Sequence, residues 1–216
     1  MLRIFNQKEI PVLRWSSPKP LNFRPKLETL FFLCIGLILF GLGESLLIAS
    51  NLGASPWLVL SQGISNATKI GIGETTFLIS LVVIFFWLPL KQMPGIGTIL
   101  NAIIIASVIK LSIPFLPTPT DRWIQLTQTI LGVLIIGLGS GIYLIAHLGA
   151  GPRDGLMTGL QRVTDFPIAI VRTTLEILVV SIGWSLGGTV GIGTVIFALG
   201  IGPAVSVGLV LVRKYF

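Results

Sequence analysis

Charge is what this sequence has least of. Only 11% of its 216 residues are Asp, Glu, Lys or Arg, against 53% that are hydrophobic, whereas a soluble domain carries about 25% charged residues. With a mean hydropathy of +0.94, this excludes a soluble globular domain and reads as a membrane protein. Thiols and imidazoles are as scarce. One cysteine, Cys34, and one histidine, His147, allow no internal disulfide, no CxxC site and no histidine-rich zinc or iron site. No Walker, Rossmann or HExxH pattern occurs, and no nucleophile is paired with a base. No catalytic residue, metal or cofactor is therefore expected, and a membrane enzyme ranks last among the function classes. Basic and aromatic residues do not interleave as a nucleic-acid surface requires. The formal charge of +7 reads instead as topology signals and contacts with the lipid bilayer, chiefly anionic lipid headgroups near the basic tail.

What the sequence does have is long apolar runs. Residues 1–28 form a basic tail holding Arg3, Lys8, Arg14, Lys19, Arg24 and Lys26, with prolines and no apolar run, and are expected to be flexible. They lack the order of a cleavable signal peptide, so the first span is expected to be retained. Six segments then reach the length of a membrane span, at about Leu30 to Ser50, Ile72 to Leu90, Gly95 to Phe115, Ile124 to Ala146, Pro167 to Leu186 and Gly191 to Val212. All should be helices, since a lone helix satisfies its own backbone in lipid. Trp87, Trp123, Trp184 and Tyr215 fall at their ends, where an amphipathic ring suits the headgroup level.

Alternating from a cytoplasmic N-terminus, six spans place twelve Lys and Arg inside and three (Lys69, Lys110 and Arg122) outside, so both termini are expected in the cytoplasm. Eight spans, with residues 53–69 and 149–165 also crossing, give thirteen against two. Length separates the alternatives, because those two stretches are too short and too polar on one face to cross.

The chain also repeats itself. Shifted by 96 residues without a gap, residues 41–111 match 137–207 at 19 of 71 positions. The matches cluster in backbone-shaping blocks: GLG at Gly41 and Gly137, LGAxP at Leu52 and Leu148, GIGT at Gly95 and Gly191. Three spans per copy reverse the second copy relative to the first. The expected fold is thus an all-α membrane protein of six transmembrane helices in two inverted three-helix repeats, residues 29–116 and 117–216, behind the tail of residues 1–28. Inverted repeats are common in secondary transporters, whose sites form where broken helices meet near the midplane. They occur in other membrane proteins too.

The LGAxP blocks are the expected breaks. Gly53 and Gly149 permit backbone angles closed to other residues, and Pro56 and Pro152 suit the first turn of a new helix. A short amphipathic helix should follow each, with Leu60, Ile64 and Ala67, and likewise Leu156, Leu160 and Val163, on one face. Its N-terminal end suits an anionic group; the competing reading is an interfacial turn. At these residues the sequence, with LGAGPRDGLMTGL, VRTTLE and GGTVGIGTVIFALGIGP, resembles the YczE-type integral membrane proteins of bacteria, related to the YitT group. The resemblance spans about residues 30 to 212. It implies a multispan helical fold in the bacterial inner membrane and specifies no substrate.

Symmetry does not require every charge. Arg153 and Asp154 stand opposite Trp57 and Leu58, and Arg172 and Glu176 opposite Thr76 and Ser80. Arg172 and Glu176, four apart on one helix face, can pair well below the membrane surface. Two readings remain open: Glu176 carries a coupling proton while Arg153 or Arg172 meets an anionic substrate, or Arg153 and Asp154 pin the short helix while Arg172 and Glu176 form a buried structural pair. Glu44, opposite Ser140, is expected either to snorkel to water or to face the same cavity. Asn101 is expected to bond between helices, His147 to be interfacial, and Gly137 with Gly141, and Gly183 with Gly187, to mark close helix contacts. The leading function is a small secondary transporter or exporter of an unidentified small molecule, an anion being one candidate; the alternative is an accessory or scaffold protein for a partner enzyme or complex. Oligomeric state is not legible.

Overall fold

The structure, a computed structural model, describes residues 11–215. Their regular structure is entirely helical: α1 (Leu27–Ser50), α2 (Pro56–Thr68), α3 (Ile72–Phe85), α4 (Ile96–Ser112), a 3-10 turn (Ile113–Phe115), α5 (Arg122–Ala146), α6 (Pro152–Thr164), α7 (Ile168–Ser185) and α8 (Ile192–Tyr215). Five of these are long and apolar enough to cross a membrane: α1, α4 with its 3-10 turn, α5, α7 and α8. A sixth crossing needs α2 and α3 taken together, bent by 115°. The chain is a multi-pass membrane protein.

One expected span is shorter than its apolar run. The run from Ile72 to Leu90 is helical only as far as Phe85, about 21 Å at 1.5 Å per residue against an apolar core of about 30 Å. Pro89 explains the stop: it has no N–H to donate and disfavours helix in the residue before it. The chain turns instead, and Trp87 donates from Nε1 to the carbonyl of Pro152, 3.0 Å away.

Helices α1 and α5 form the centre, crossing antiparallel through four glycines. A Cβ on Gly43 would lie 2.6 Å from the Gly132 carbonyl oxygen, and one on Gly36 2.8 Å from that of Gly139. Such contact lets bare backbones approach where apolar burial gives no net drive in lipid. Gly137 and Gly141 do the same against Ala204 and Gly208 of α8. Gly183 lies on the backbone at Leu60 of α2. Gly187 differs from expectation: it has φ +91° in the turn after α7 and meets α2 through its carbonyl, which accepts from Asn66 Nδ2 at 2.7 Å, not by close backbone packing.

The copies share a skeleton at the 96-residue offset. Helices α2 and α6 both have 13 residues. Left-handed backbone recurs in pairs: Asn51 (φ 57°) with His147 (54°), Gly53 (117°) with Gly149 (113°), Lys69 (63°) with Asp165 (59°), and Lys91 (51°) with Gly187 (91°). On the amphipathic face Leu60, Ile64, Leu156 and Leu160 join one apolar cluster, while Val163, in the last turn of α6, is 64% exposed.

The basic tail departs most from expectation. Arg3 and Lys8 lie outside the described residues, but residues 11–26 are docked rather than flexible. Trp15 is buried and stacks on Phe32 with ring centroids 4.5 Å apart. Thr29 donates its hydroxyl to the Trp15 carbonyl, and the Ser17 N–H bonds the Ala146 carbonyl at 3.0 Å. An aromatic anchor of this size holds a segment against the bundle where prolines and charge suggested freedom.

Candidate functional site

The site begins with two helix starts. Each break turns the chain back toward the bundle, and the reversal is held by the opposite copy: the Gly193 N–H bonds the Leu52 carbonyl at 2.7 Å, and the Gly97 N–H bonds the Leu148 carbonyl at 2.8 Å. The Thr98 hydroxyl adds a bond to the Ala150 carbonyl. Gly53 and Gly149 are both confined, since a Cβ on either would meet the GIGT block of the other copy. Pro56 and Pro152, the first residues of α2 and α6, therefore both line one central cavity of about 210 Å³.

Five acidic or basic side chains line that cavity: Glu44, Arg153, Asp154, Arg172 and Glu176. Glu44 is 1% exposed. The Ser55 hydroxyl lies 2.9 and 2.8 Å from its two carboxylate oxygens, and Arg153 Nη1 lies 3.6 Å from Oε1. The Arg153 guanidinium also stands over the Trp57 ring, 5.5 Å from its centroid. Trp57 and Arg153 occupy equivalent positions at the 96-residue offset, so matching residues of the two copies meet in the cavity lining. A cation between a carboxylate and an indole face is satisfied from two sides. Asp154, in the first turn of α6, accepts a hydrogen bond from the Tyr143 hydroxyl at 2.8 Å.

Arg172 and Glu176 pair at 2.9 Å as their spacing predicts, but not as a buried pair. Their side chains are 49% and 23% exposed, because α7 lies at the edge of the bundle and packs mainly on α2. Among the described residues, the ion pair with a fully buried member is Glu44 with Arg153, 1% and 22% exposed, one residue from each copy. Glu44 faces the cavity and does not snorkel. Asn101 lines the cavity without an interhelical hydrogen bond among the described residues. His147 caps α5, its Nδ1 3.1 Å from the Ser17 carbonyl oxygen.

Sequence reading missed Ser55, Trp57 and Tyr143. Two of them carried a signal: Ser55 lies inside the LGAxP block beside Pro56, and Trp57 is aligned with Arg153 by the repeat. Tyr143 carried none, being one aromatic in an apolar run.

Residues 27–208 match a family described as "Family of unknown function (DUF6198)". The chain is 40% identical over 205 residues to an "Uncharacterized protein" of Haemophilus influenzae, covering 95% of this chain and 93% of that one. It is 35% identical over 173 residues to the "Uncharacterized membrane protein YczE" of Bacillus subtilis, covering 78% and 79%. A third relative, the "Uncharacterized protein YyaS" of Bacillus subtilis, is 27% identical over 189 residues, covering 84% and 92%. No solved structure matches significantly.

Proposed function

Given that the chain belongs to the DUF6198 family, we propose that it is a small secondary transporter of the bacterial inner membrane. Its two repeats are inverted, both termini are cytoplasmic, and the central cavity opens alternately to either side. The observation that carries this reading is the convergence of both helix breaks on one polar cavity between the copies, the arrangement by which inverted-repeat transporters build a midplane site. The antiparallel α1 and α5 crossing and the reciprocal Leu52 and Leu148 bonds fit a two-fold axis in the membrane plane.

The cavity chemistry revises the expected substrate. Three carboxylates line it against two guanidiniums, and each guanidinium already faces a carboxylate. A small cationic or neutral polar molecule fits this lining better than an anion, with the Phe40, Trp57, Tyr143 and Phe197 rings as apolar walls. Glu44, enclosed and bonded by Ser55 and Arg153, is the group placed to carry a coupling proton or cation.

The accessory reading also rests on one observation: all five acidic or basic groups have a partner, Asp154 through Tyr143, so they could pin the copies together without handling a substrate. Side-specific labelling separates the two readings. With Cys34 replaced by alanine, a cysteine introduced at Ser140, which lines the cavity, should react with a membrane-impermeant methanethiosulfonate in both right-side-out and inverted vesicles. Reaction from one face only, or from neither, would sink alternating access and favour the accessory role.

A further inference from the structure

A second cavity, of about 690 Å³, lies where the docked tail meets the α3–α4 turn and the end of α5. Its chemistry is the reverse of the central one. Among the described residues, the ionisable or imidazole side chains lining it are Lys19, Lys91 and His147, and no carboxylate does. Neither lysine has an acidic partner within ion-pair reach among the described residues. His147 is held in place, since its Nδ1 faces the Ser17 carbonyl oxygen, an obligate acceptor. Apolar groups complete the lining: Trp87 forms part of the wall, and Leu21 and Met93 remain 41% and 71% exposed beside the lysines. The volume falls within the range of about 300 to 1,000 Å³ typical of small-ligand sites.

We propose that this cavity binds an anionic amphiphile: a phosphate-bearing headgroup between Lys19 and Lys91, beside the His147 ring, with the root of an apolar body against Leu21, Met93 and Trp87. Unpaired lysines beside exposed apolar side chains at the end of a helix bundle suit an anionic lipid at headgroup level. A soluble organic phosphate offers the same charge without the apolar part. The occupant would also touch the wall of the central cavity, because Gly149, Ala150 and Gly155 line this space while Gly151 to Asp154 line the other. The site itself does not require transport and stands apart from that reading.

The test uses the full chain purified in a neutral detergent. Thermal unfolding is followed with phosphatidylglycerol, phosphatidylcholine or glycerol 3-phosphate added, and bound lipid is counted by native mass spectrometry. Phosphatidylglycerol should raise the unfolding temperature saturably and appear as a bound adduct, and phosphatidylcholine should do so far less. Lys19→Gln with Lys91→Gln should weaken phosphatidylglycerol binding by about thirtyfold, whereas Arg213→Gln with Lys214→Gln, a basic pair outside the cavity, should not. Stabilisation by millimolar glycerol 3-phosphate equal to that by phosphatidylglycerol would overturn the apolar half of the proposal and make the ligand a soluble organic phosphate. Equal stabilisation by phosphatidylcholine and phosphatidylglycerol, or binding unchanged in the lysine variant, would overturn the proposal. Both lysines are exposed, and the lipid-free unfolding temperature of the variant serves as the folding control.

Discussion

The two cavities share a wall and obey opposite rules. The central one, about 210 Å³, is lined by helices from both copies, and its charges are matched side chain to side chain. The outer one, about 690 Å³, has lysines with no acidic partner among the described residues. Depth accounts for the difference. A charge in an apolar interior is several kcal/mol too costly unless paired, so a fully buried ion such as Glu44 must arrive with its counter-ion. At the bundle end a lysine reaches water or a headgroup along its own stem, so free cations persist and can serve a ligand. The wall between, Gly149 to Gly155, is thus the segment through which either space can influence the other.

The sharpest way to break this contrast is to unpair the central ions. Arg153→Met leaves Glu44 buried with only the Ser55 hydroxyl, and should cost about 3 to 5 kcal/mol, read as a large drop in unfolding temperature in detergent. Glu44→Leu combined with Arg153→Met should recover most of that loss, because replacing both ions by apolar groups removes the desolvation penalty along with the attraction. Lys91→Gln in the outer cavity should leave lipid-free stability within about 0.5 kcal/mol. Similar costs for Arg153→Met and Lys91→Gln would mean that the central pair is solvated and the contrast false.

The wall itself offers a smaller effect. Gly155→Ala pushes a methyl into the Trp87 ring that packs on it, and overpacking of this kind costs about 1 to 3 kcal/mol. Gly149→Ala places a side chain at φ +113°, which costs a similar amount. Gly202→Ala, with nothing within 4 Å of the added carbon, is the matched control and should be neutral or slightly stabilising. If Gly155→Ala is destabilising and is rescued by Trp87→Leu, then Trp87 fixes the separation of the two spaces. Absence of rescue would place the strain elsewhere in the break.

How legible each feature was follows from how local its cause is. The breaks at Gly53 and Gly149 could be read because φ near +115° and a proline at the first helical position are properties of one or two residues, stated twice by the repeat. Helix α3 was read too long because apolar length was weighed above the single Pro89. Glu44 was underrated because its burial depends on the chain after Ser50 folding back to bring Ser55 and Arg153 against it, contacts that span 11 and 109 positions. The docked tail was missed for the same reason. Composition records four basic residues in its described part, but the outcome turns on one aromatic, Trp15, finding Phe32.

The smallest expected effect concerns the pair that looked most important in the sequence. Arg172 and Glu176 bond at 2.9 Å, yet are 49% and 23% exposed on an edge helix. Arg172 is the fifth residue of α7, about 7 Å from its start at 1.5 Å per residue, within reach of the headgroup level for a side chain of its length. Losing its partner therefore leaves it solvated. Arg172→Met, Glu176→Leu and the double variant should each change stability by less than about 1 kcal/mol, with no marked recovery in the double, unlike the Glu44 and Arg153 cycle. Thermal unfolding of the four proteins in detergent measures the coupling directly. A coupling energy near that of the central pair would show that α7 closes over the cavity in the membrane, burying this pair as deeply as the other. Measured on the same variants, the labelling rate at position 140 then decides whether the pair matters to access, since a change in rate without a change in stability assigns Arg172 and Glu176 to the opening of the cavity.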